Sequence, residues 1–310
     1  HQRAPTPRGG IYSRKDCSVT KLRVLDLFSG IGGFSLGLER ATNKGQINGF
    51  ETVAFCEIEA FPRKVLAKHW PDVPCYTDVR TLTAERLAAD GIAGIDVITG
   101  GFPCQDLSSA GRRAGIGEGT RSGLYAEVLR LACDLRPQFI ILENVAGLLS
   151  GPSEQPGGWF SRVLGDLASI RYDAEWENIP ASALGAPHRR ERIWIVAYPS
   201  QVDDAELECI YSSGQDRQSC DDGAVLADAY NLHEQGVVAR IPDKEEWARS
   251  FLRPIRPCSN GAGWWQTEPT LGRVADGVPN RAQRLAALGN AVVPQIPELI
   301  GNAILEAVNT

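Results

Sequence analysis

Between residues 22 and 197 short apolar runs alternate with helical patterns, and no other feature limits the fold of this chain as strongly. Leu22-Arg23-Val24-Leu25-Asp26-Leu27 reads as a strand buried on both faces. Residues 52–56, a short piece at Cys75-Tyr76, 96–99, 139–142 and 193–197 repeat that signature. Helical patterns fill the intervals at residues 34–40, 60–69, 83–89, 122–135 and 159–170. In the fourth of these, Leu124, Val128, Leu131 and Leu135 recur at the spacing of a core-facing stripe. Strand–helix alternation of this kind predicts an α/β chain with a mostly parallel, doubly wound sheet and helices on both faces.

The pattern stops after Tyr198. Residues 199–276 are rich in Ser, Asp, Gly and Pro and carry few periodic runs, which predicts a small separate domain or an elaborated insertion. Order returns with a helical stretch at 284–288, a break at Gly289-Asn290 and an apolar helix over 297–308. That last helix should pack back on the first unit, because its apolar face needs a partner. The expected division is a flexible tail at 1–20, a main unit at 21–198, a small domain at 199–272 and a returning segment at 273–310.

Composition narrows the classes. With 310 residues and 43% hydrophobic content the chain can build a proper core. No run approaches the roughly 18 apolar residues of a membrane span. The polar, Pro-bearing start at His1-Gln2-Arg3-Ala4-Pro5 has no apolar signal-peptide core. The eight cysteines include no Cys-x-x-Cys pair and the four histidines form no ligand pattern, so no metal site is expected. Scattered thiols of this kind read as reduced and cytoplasmic. The net charge of −6 argues mildly against a nucleic-acid partner, but its distribution does not. Residues 201–235 hold nine acids against Arg217 alone, whereas 236–284 hold eight bases and five acids.

The chemistry-bearing residues fall where strands end. Gly30, Gly32 and Gly33 lie in the turn after the first strand, although they fit a dinucleotide fingerprint only in part. Glu57 follows the second strand, about 25 residues past that turn, where an acid reaches ribose hydroxyls. Asp78 follows the third. Two acids at successive strand ends beside a Gly-rich turn suggest a nucleoside-containing cofactor. Cys104, inside Gly100-Gly101-Phe102-Pro103-Cys104-Gln105, follows the fourth strand, and Glu143-Asn144-Val145 closes the fifth. Taken singly, a free cysteine is usually a small buried hydrophobe. A thiol and a carboxyl at neighbouring strand ends suggest covalent catalysis assisted by an acid. Arg190 and Arg192 precede the late strand and, if extended, project from one side.

In order, Asp26-Leu27-Phe28-Ser29-Gly30-Ile31-Gly32-Gly33, Glu57, Asp78, Gly101-Phe102-Pro103-Cys104-Gln105, Glu143-Asn144-Val145, Arg190-Glu191-Arg192 and Leu288-Gly289-Asn290-Ala291-Val292-Val293-Pro294 closely resemble the C5-cytosine DNA methyltransferases. The resemblance covers roughly residues 21–198 and 271–310. It implies a Rossmann-like α/β S-adenosylmethionine-dependent methyltransferase sheet with a small, irregular target-recognition domain. It implies that Cys104 attacks C6 of a cytosine, that Glu143 contacts N3 and the exocyclic amine, and that Arg192, with Arg190 as companion, lies near O2. For S-adenosyl-L-methionine it implies Glu57 on the ribose, Asp78 on the adenine amine, and Phe28 and Ile58 sandwiching the adenine. Asp26, Gly30, Gly32, Val79, Pro103, Leu124, Asn290 and Val292 complete the implied cofactor set. Gln105, Ser108, Arg112, Arg113 and Arg121 fall on the implied loop that closes over a flipped base.

The partners implied are double-stranded DNA and, as a candidate, a cognate restriction endonuclease; the enzyme is expected to be monomeric and to work in the bacterial cytoplasm or nucleoid. His188 and Ala291 depart from the family's usual glutamine and serine. Trp247, Trp264 and Trp265, with Arg249, Arg253 and Arg256, are candidate DNA contacts, a small core being the commoner role for tryptophans. Rival readings are a tRNA cytosine-5 methyltransferase, a catalytically silent DNA-binding homologue and a Rossmann dehydrogenase. Gln105-Asp106-Leu107-Ser108 beside the thiol favours DNA over tRNA. The joint presence of Cys104, Glu143 and Arg192 weighs against the silent homologue, and the poor dinucleotide fingerprint weighs against the dehydrogenase.

Overall fold

The computed structural model describes residues 21–42, 49–103, 124–150, 158–186, 188–200 and 279–308. Seven strands form one sheet: β1 (Leu22–Leu27), β2 (Phe50–Cys56), β3 (Cys75–Tyr76), β4 (Val97–Gly100), β5 (Phe139–Val145), β6 (Tyr172–Pro180) and β7 (Glu191–Pro199). Their order is β3-β2-β1-β4-β5-β7-β6. Strands β1 to β5 pair in parallel, while β7 runs antiparallel to both β5 and β6. The expected mostly parallel sheet is therefore present, with a reversed strand near one edge.

Helices α1 (Gly33–Leu38), α2 (Ala60–His69), α3 (Ala84–Ala89), α4 (Leu124–Leu135), α5 (Gly158–Ser169), α6 (Arg281–Asn290) and α7 (Gln295–Val308) accompany the strands. Apolar side chains on both strand faces bury against two helical layers, which is why the parallel strands read as continuous apolar runs. On one face Leu25, Leu27, Ile98, Ile140 and Ile195 meet Tyr125, Val128 and Leu131 of α4 and Phe160, Val163 and Leu167 of α5. On the other, Val24, Val97, Ile141 and Trp194 meet Phe34 and Leu38 of α1 and Ile296, Ile300 and Ile304 of α7.

The terminal helix thus packs back on the first unit, as its apolar face requires. The contact is close: a Cβ on Gly301 would lie 2.6 Å from that of Ala41 and 3.1 Å from Leu38 and Phe50. The break expected at Gly289-Asn290 falls one step later, since α6 runs through Asn290 and Ala291 resumes extended backbone. β6 was not anticipated. Its acids Asp173, Glu175 and Glu177 alternate with Tyr172, Ala174 and Trp176, the period-2 pattern of a strand at the sheet edge rather than an apolar run.

Strand order reverses between β1 and β4, where Leu27 pairs with Gly100. In open α/β sheets the crevice beyond the carboxyl ends at such a reversal is where ligands bind. Phe28 and Gly101 leave the sheet there.

Candidate active site

The turn from β1 into α1 is pinned to β2. The Ser29 N–H donates to the carbonyl of Cys56 at 3.2 Å, and the Cys56 N–H donates to the Ser29 hydroxyl at 3.2 Å. Phe28 and Gly30 both take φ of +53°, a left-handed conformation that costs a non-glycine residue roughly 1 kcal/mol or more. Glu57 locks this turn. Its Oε2 accepts the Gly30 N–H at 2.8 Å and its Oε1 the Glu59 N–H at 2.7 Å. Charge-assisted bonds of this length are the strong kind, so one carboxylate fixes both the first and second strand-to-helix turns.

Beside it stands Ile58, an aliphatic side chain 65% exposed. Phe28 is half-buried across from the sheet, and the space where a side chain on Gly30 would project is open to 4 Å. An exposed aliphatic, an aromatic and an anchored carboxylate at the ends of β1 and β2 are groups that suit a nucleoside, with an apolar grip on a base and an acceptor for ribose.

Other members of the expected cofactor set have different duties. Asp26 is wholly buried, and its two carboxylate oxygens accept from the hydroxyls of Thr99 and Ser35, each at 2.8 Å. It braces β1, β4 and α1 and has no exposed atom to offer a ligand. Burial pushes its carboxyl up to about 7, against the hydrogen bonds from Ser35 and Thr99, which lower it. Gly32, at φ +85°, is filled from behind: a Cβ there would lie 2.6 Å from the Trp70 ring. The Trp70 indole N–H is itself held by the Glu39 carboxylate at 3.0 Å. Gly32 is thus a packing position of the turn.

Val79 buries its side chain in the core, leaving only its backbone for contacts. Asp78 caps the turn Val79–Thr81 and pairs with Arg80 at 2.7 Å. The Arg80 hydrogen bond holds the Asp78 carboxyl below its ordinary range. Leu124 is half-buried at the start of α4, and Pro103 is half-buried after β4. Asn290 is exposed, and Val292 lies against the first turn with its carbonyl 2.7 Å from where a Gly33 Cβ would be.

On the other side of the crevice, β5 and β7 present an ion pair. Val145 faces Arg192 across the ladder, so Glu143 and Arg192 are diagonal neighbours on one sheet face. Arg192 Nε lies 2.9 Å from Glu143 Oε1, with the two side chains 24% and 13% exposed. Burial raises the Glu143 carboxyl above its ordinary value, opposed by the charges of Arg192 and Arg190. Glu143 also looks toward the segment that leads to Cys104: its Oε2 is 3.4 Å from where a Gly101 Cβ would sit.

Asn144, buried and absent from the sequence-derived site, completes this corner. Its amide donates to the carbonyl of Phe102 at 3.2 Å, and its oxygen accepts the Val145 N–H at 2.8 Å. The end of β5 thereby fixes the backbone just before Pro103-Cys104. The signal was present in Glu143-Asn144-Val145, where the amide sits one residue past the acid.

Arg190 is placed differently from expectation. It is not part of an extended pair with Arg192, because its φ is +31° and β7 begins only at Glu191. Its guanidinium donates to the carbonyls of Gly289 and Ala291 instead. Ile31, Gly33, Leu36, Arg190, Val292 and Pro294 help line a cavity of about 420 Å³ between the first turn and the returning segment. Cys104, Gln105, Ser108, Arg112, Arg113 and Arg121 lie outside the described residues, as do Trp247, Trp264, Trp265, Arg249, Arg253 and Arg256.

A mostly parallel sheet of order β3-β2-β1-β4-β5-β7-β6 with β7 reversed, and a crevice at its switch point, defines an α/β fold of the doubly wound class. The S. pombe Dnmt2 methyltransferase has this fold, with a TM-score of 0.55 over 94% of this chain and 100% of that one, at 16% identity. Within that class the chain belongs to the C-5 cytosine-specific DNA methylases, whose family model matches residues 22–250. The Type II methyltransferase M2.BsuMI of Bacillus subtilis is 30% identical over 246 residues, covering 78% of this chain and 57% of that protein. The Type II methyltransferase M.Sau3AI of Staphylococcus aureus is 32% identical over 198 residues, covering 59% of this chain and 45% of that protein. The chain spans about half the length of the curated relatives it matches.

Proposed function

We propose that this chain is a DNA (cytosine-5-)-methyltransferase that flips a cytosine from duplex DNA and methylates its C5. The observation that carries the reading is the Glu143–Arg192 pair held at the end of β5, against the Gly101–Pro103 segment that leads to Cys104. S-adenosyl-L-methionine, when bound, supplies an electrophilic methyl group. Glu57, Ile58 and Phe28 would hold its nucleoside, with Asp78, Leu124, Asn290 and Val292 at the margins.

C5 of cytosine is a weak nucleophile, and covalent addition splits one hard step into easier ones. The Cys104 thiolate forms a bond from Sγ to C6, and the displaced electron pair moves toward C5 and N3. The carboxyl of Glu143, kept above its ordinary range by burial, hydrogen-bonds N3 and offsets that charge. Arg192 faces O2 while its bond to Glu143 fixes the carboxyl's direction. After C5 takes the methyl group its proton passes to a water molecule, the C5–H electron pair restores the C5–C6 double bond, and the C6–Sγ pair returns to sulfur as the thiolate.

Gln105, Ser108, Arg112, Arg113 and Arg121 contact the DNA in this reading, and residues 199–272 select the target sequence. The enzyme acts as a monomer. The Type II designation of its relatives supports work beside a cognate restriction endonuclease. Bisulfite sequencing of plasmid DNA and of tRNA from cells expressing the protein tests the reading. Protected cytosines within one short recurring sequence are expected; conversion of every cytosine, or protection only in tRNA, contradicts it.

A further inference from the structure

Arg190 stands one residue before β7 with φ of +31°, a conformation that non-glycine residues hold only where their surroundings over-determine it. Two of its guanidinium nitrogens donate to the carbonyls of Gly289 and Ala291, each at 2.7 Å, gripping the backbone on either side of Asn290. The other end of the residue is also fixed, because the Ala181 N–H donates to the carbonyls of Arg189 at 2.8 Å and Arg190 at 3.3 Å. The gripped segment continues into Val292, whose carbonyl lies 2.7 Å from where a Gly33 Cβ would be. A chain of contacts therefore runs from the β6–β7 connection, through one guanidinium, to the segment that abuts the Gly30–Gly33 turn. Glu143 pairs with Arg192 through Oε1, and Arg190 acts on it through its charge.

We propose that Arg190 is a positioning residue: its guanidinium fork sets how the 290–292 segment sits on the first strand-to-helix turn, and thereby the affinity for the methyl donor. The inference rests on the methyl-transfer reading above. It assigns to Arg190 a task separate from that of Arg192, which pairs with the carboxyl facing the base. A planar guanidinium can bridge two carbonyls with fixed spacing, whereas an ammonium is a single point charge on a flexible stem.

The test compares the full chain with Arg190→Lys, Arg190→Ala and, as a stability control, Ile300→Val, which trims the buried side of α7. Calorimetry measures binding of S-adenosylmethionine, and tritium transfer to plasmid DNA measures KM and kcat. Losing the fork should weaken cofactor binding and raise the KM for S-adenosylmethionine by about tenfold, equivalent to about 1.4 kcal/mol. Lysine should rescue little of this, and kcat at saturating cofactor should stay within about threefold. Ile300→Val should lower the Tm with unchanged affinity.

A fall in kcat of a hundredfold or more with KM unchanged would mean that Arg190 acts on the reacting base, and overturns the proposal. So does unchanged cofactor affinity in Arg190→Lys. If wild type binds S-adenosylmethionine but methylates nothing, the methyl-transfer reading fails, and the calorimetric comparison still decides the role of Arg190.

Discussion

Asp26 shows how far the duty of a residue can lie from its motif. It sits in the strand that feeds the Gly-rich turn, so sequence places it among cofactor ligands. In the fold it is a buried acid shared by the hydroxyls of Thr99 and Ser35. Its carboxyl is raised from 3.8 to about 7, so the folded state binds more protons than the unfolded chain between those values. Stability should therefore fall as pH rises from about 4 to about 7, by up to about 1.4 kcal/mol per pH unit from this group. Asp26→Asn should remove that slope, which urea titrations at pH 5 and pH 7.5 will read. An unchanged slope would mean that Asp26 stays ionised in the fold. What sequence reveals here is the kind of group at each strand end. Glu57 and Glu143 lie where their positions predict, because a strand's end dictates where its next side chain goes. It does not reveal which neighbours consume that group. Asp26, Gly32 and Arg190 are taken by Ser35 and Thr99, by Trp70, and by the carbonyls of Gly289 and Ala291, partners drawn largely from distant elements.

Among the elements, the parallel strands were legible because strands covered on both faces need unbroken apolar runs. β6, at the sheet edge, carries no such run; its signal is acids alternating with Tyr172, Ala174 and Trp176, which a reading of apolar runs passes over. The reversal of β7 was equally hidden: Ile193 to Ala197 would read the same in either direction. The α1–α7 contact has its own prediction. Gly301 lets α7 approach Ala41, Leu38 and Phe50, and a valine there has no space. Gly301→Val should cost about 1–3 kcal/mol and lower the Tm by several degrees in a thermal melt. An unchanged Tm would show that the two helices separate freely. The seam matters to the site because α1 begins at Gly33 and α7 follows directly on the segment that Arg190 holds.

For the whole molecule, the crevice at the β1–β4 switch point gathers two half-sites. One is the Glu57 corner, to which the proposed function assigns the nucleoside; the other is the Glu143–Arg192 corner, to which it assigns the edge of the cytosine. The sheet brings them together from residues more than eighty positions apart in sequence, and Asn144 ties the second corner to the backbone before Cys104. The proposed methyl transfer turns on covalent addition of that thiol to C6 of cytosine, with Glu143 assisting. DNA carrying 5-fluorocytosine in the target sequence tests it directly, because fluorine at C5 prevents the proton loss that releases the enzyme. Wild type incubated with this DNA and S-adenosylmethionine should give a denaturant-stable protein–DNA adduct on a gel. Cys104→Ser should give none, and Glu143→Gln should form it at least a hundredfold more slowly, a loss typical of removing one transition-state hydrogen-bonding group. Active enzyme that leaves no adduct, or an adduct that persists in Cys104→Ser, would contradict the account.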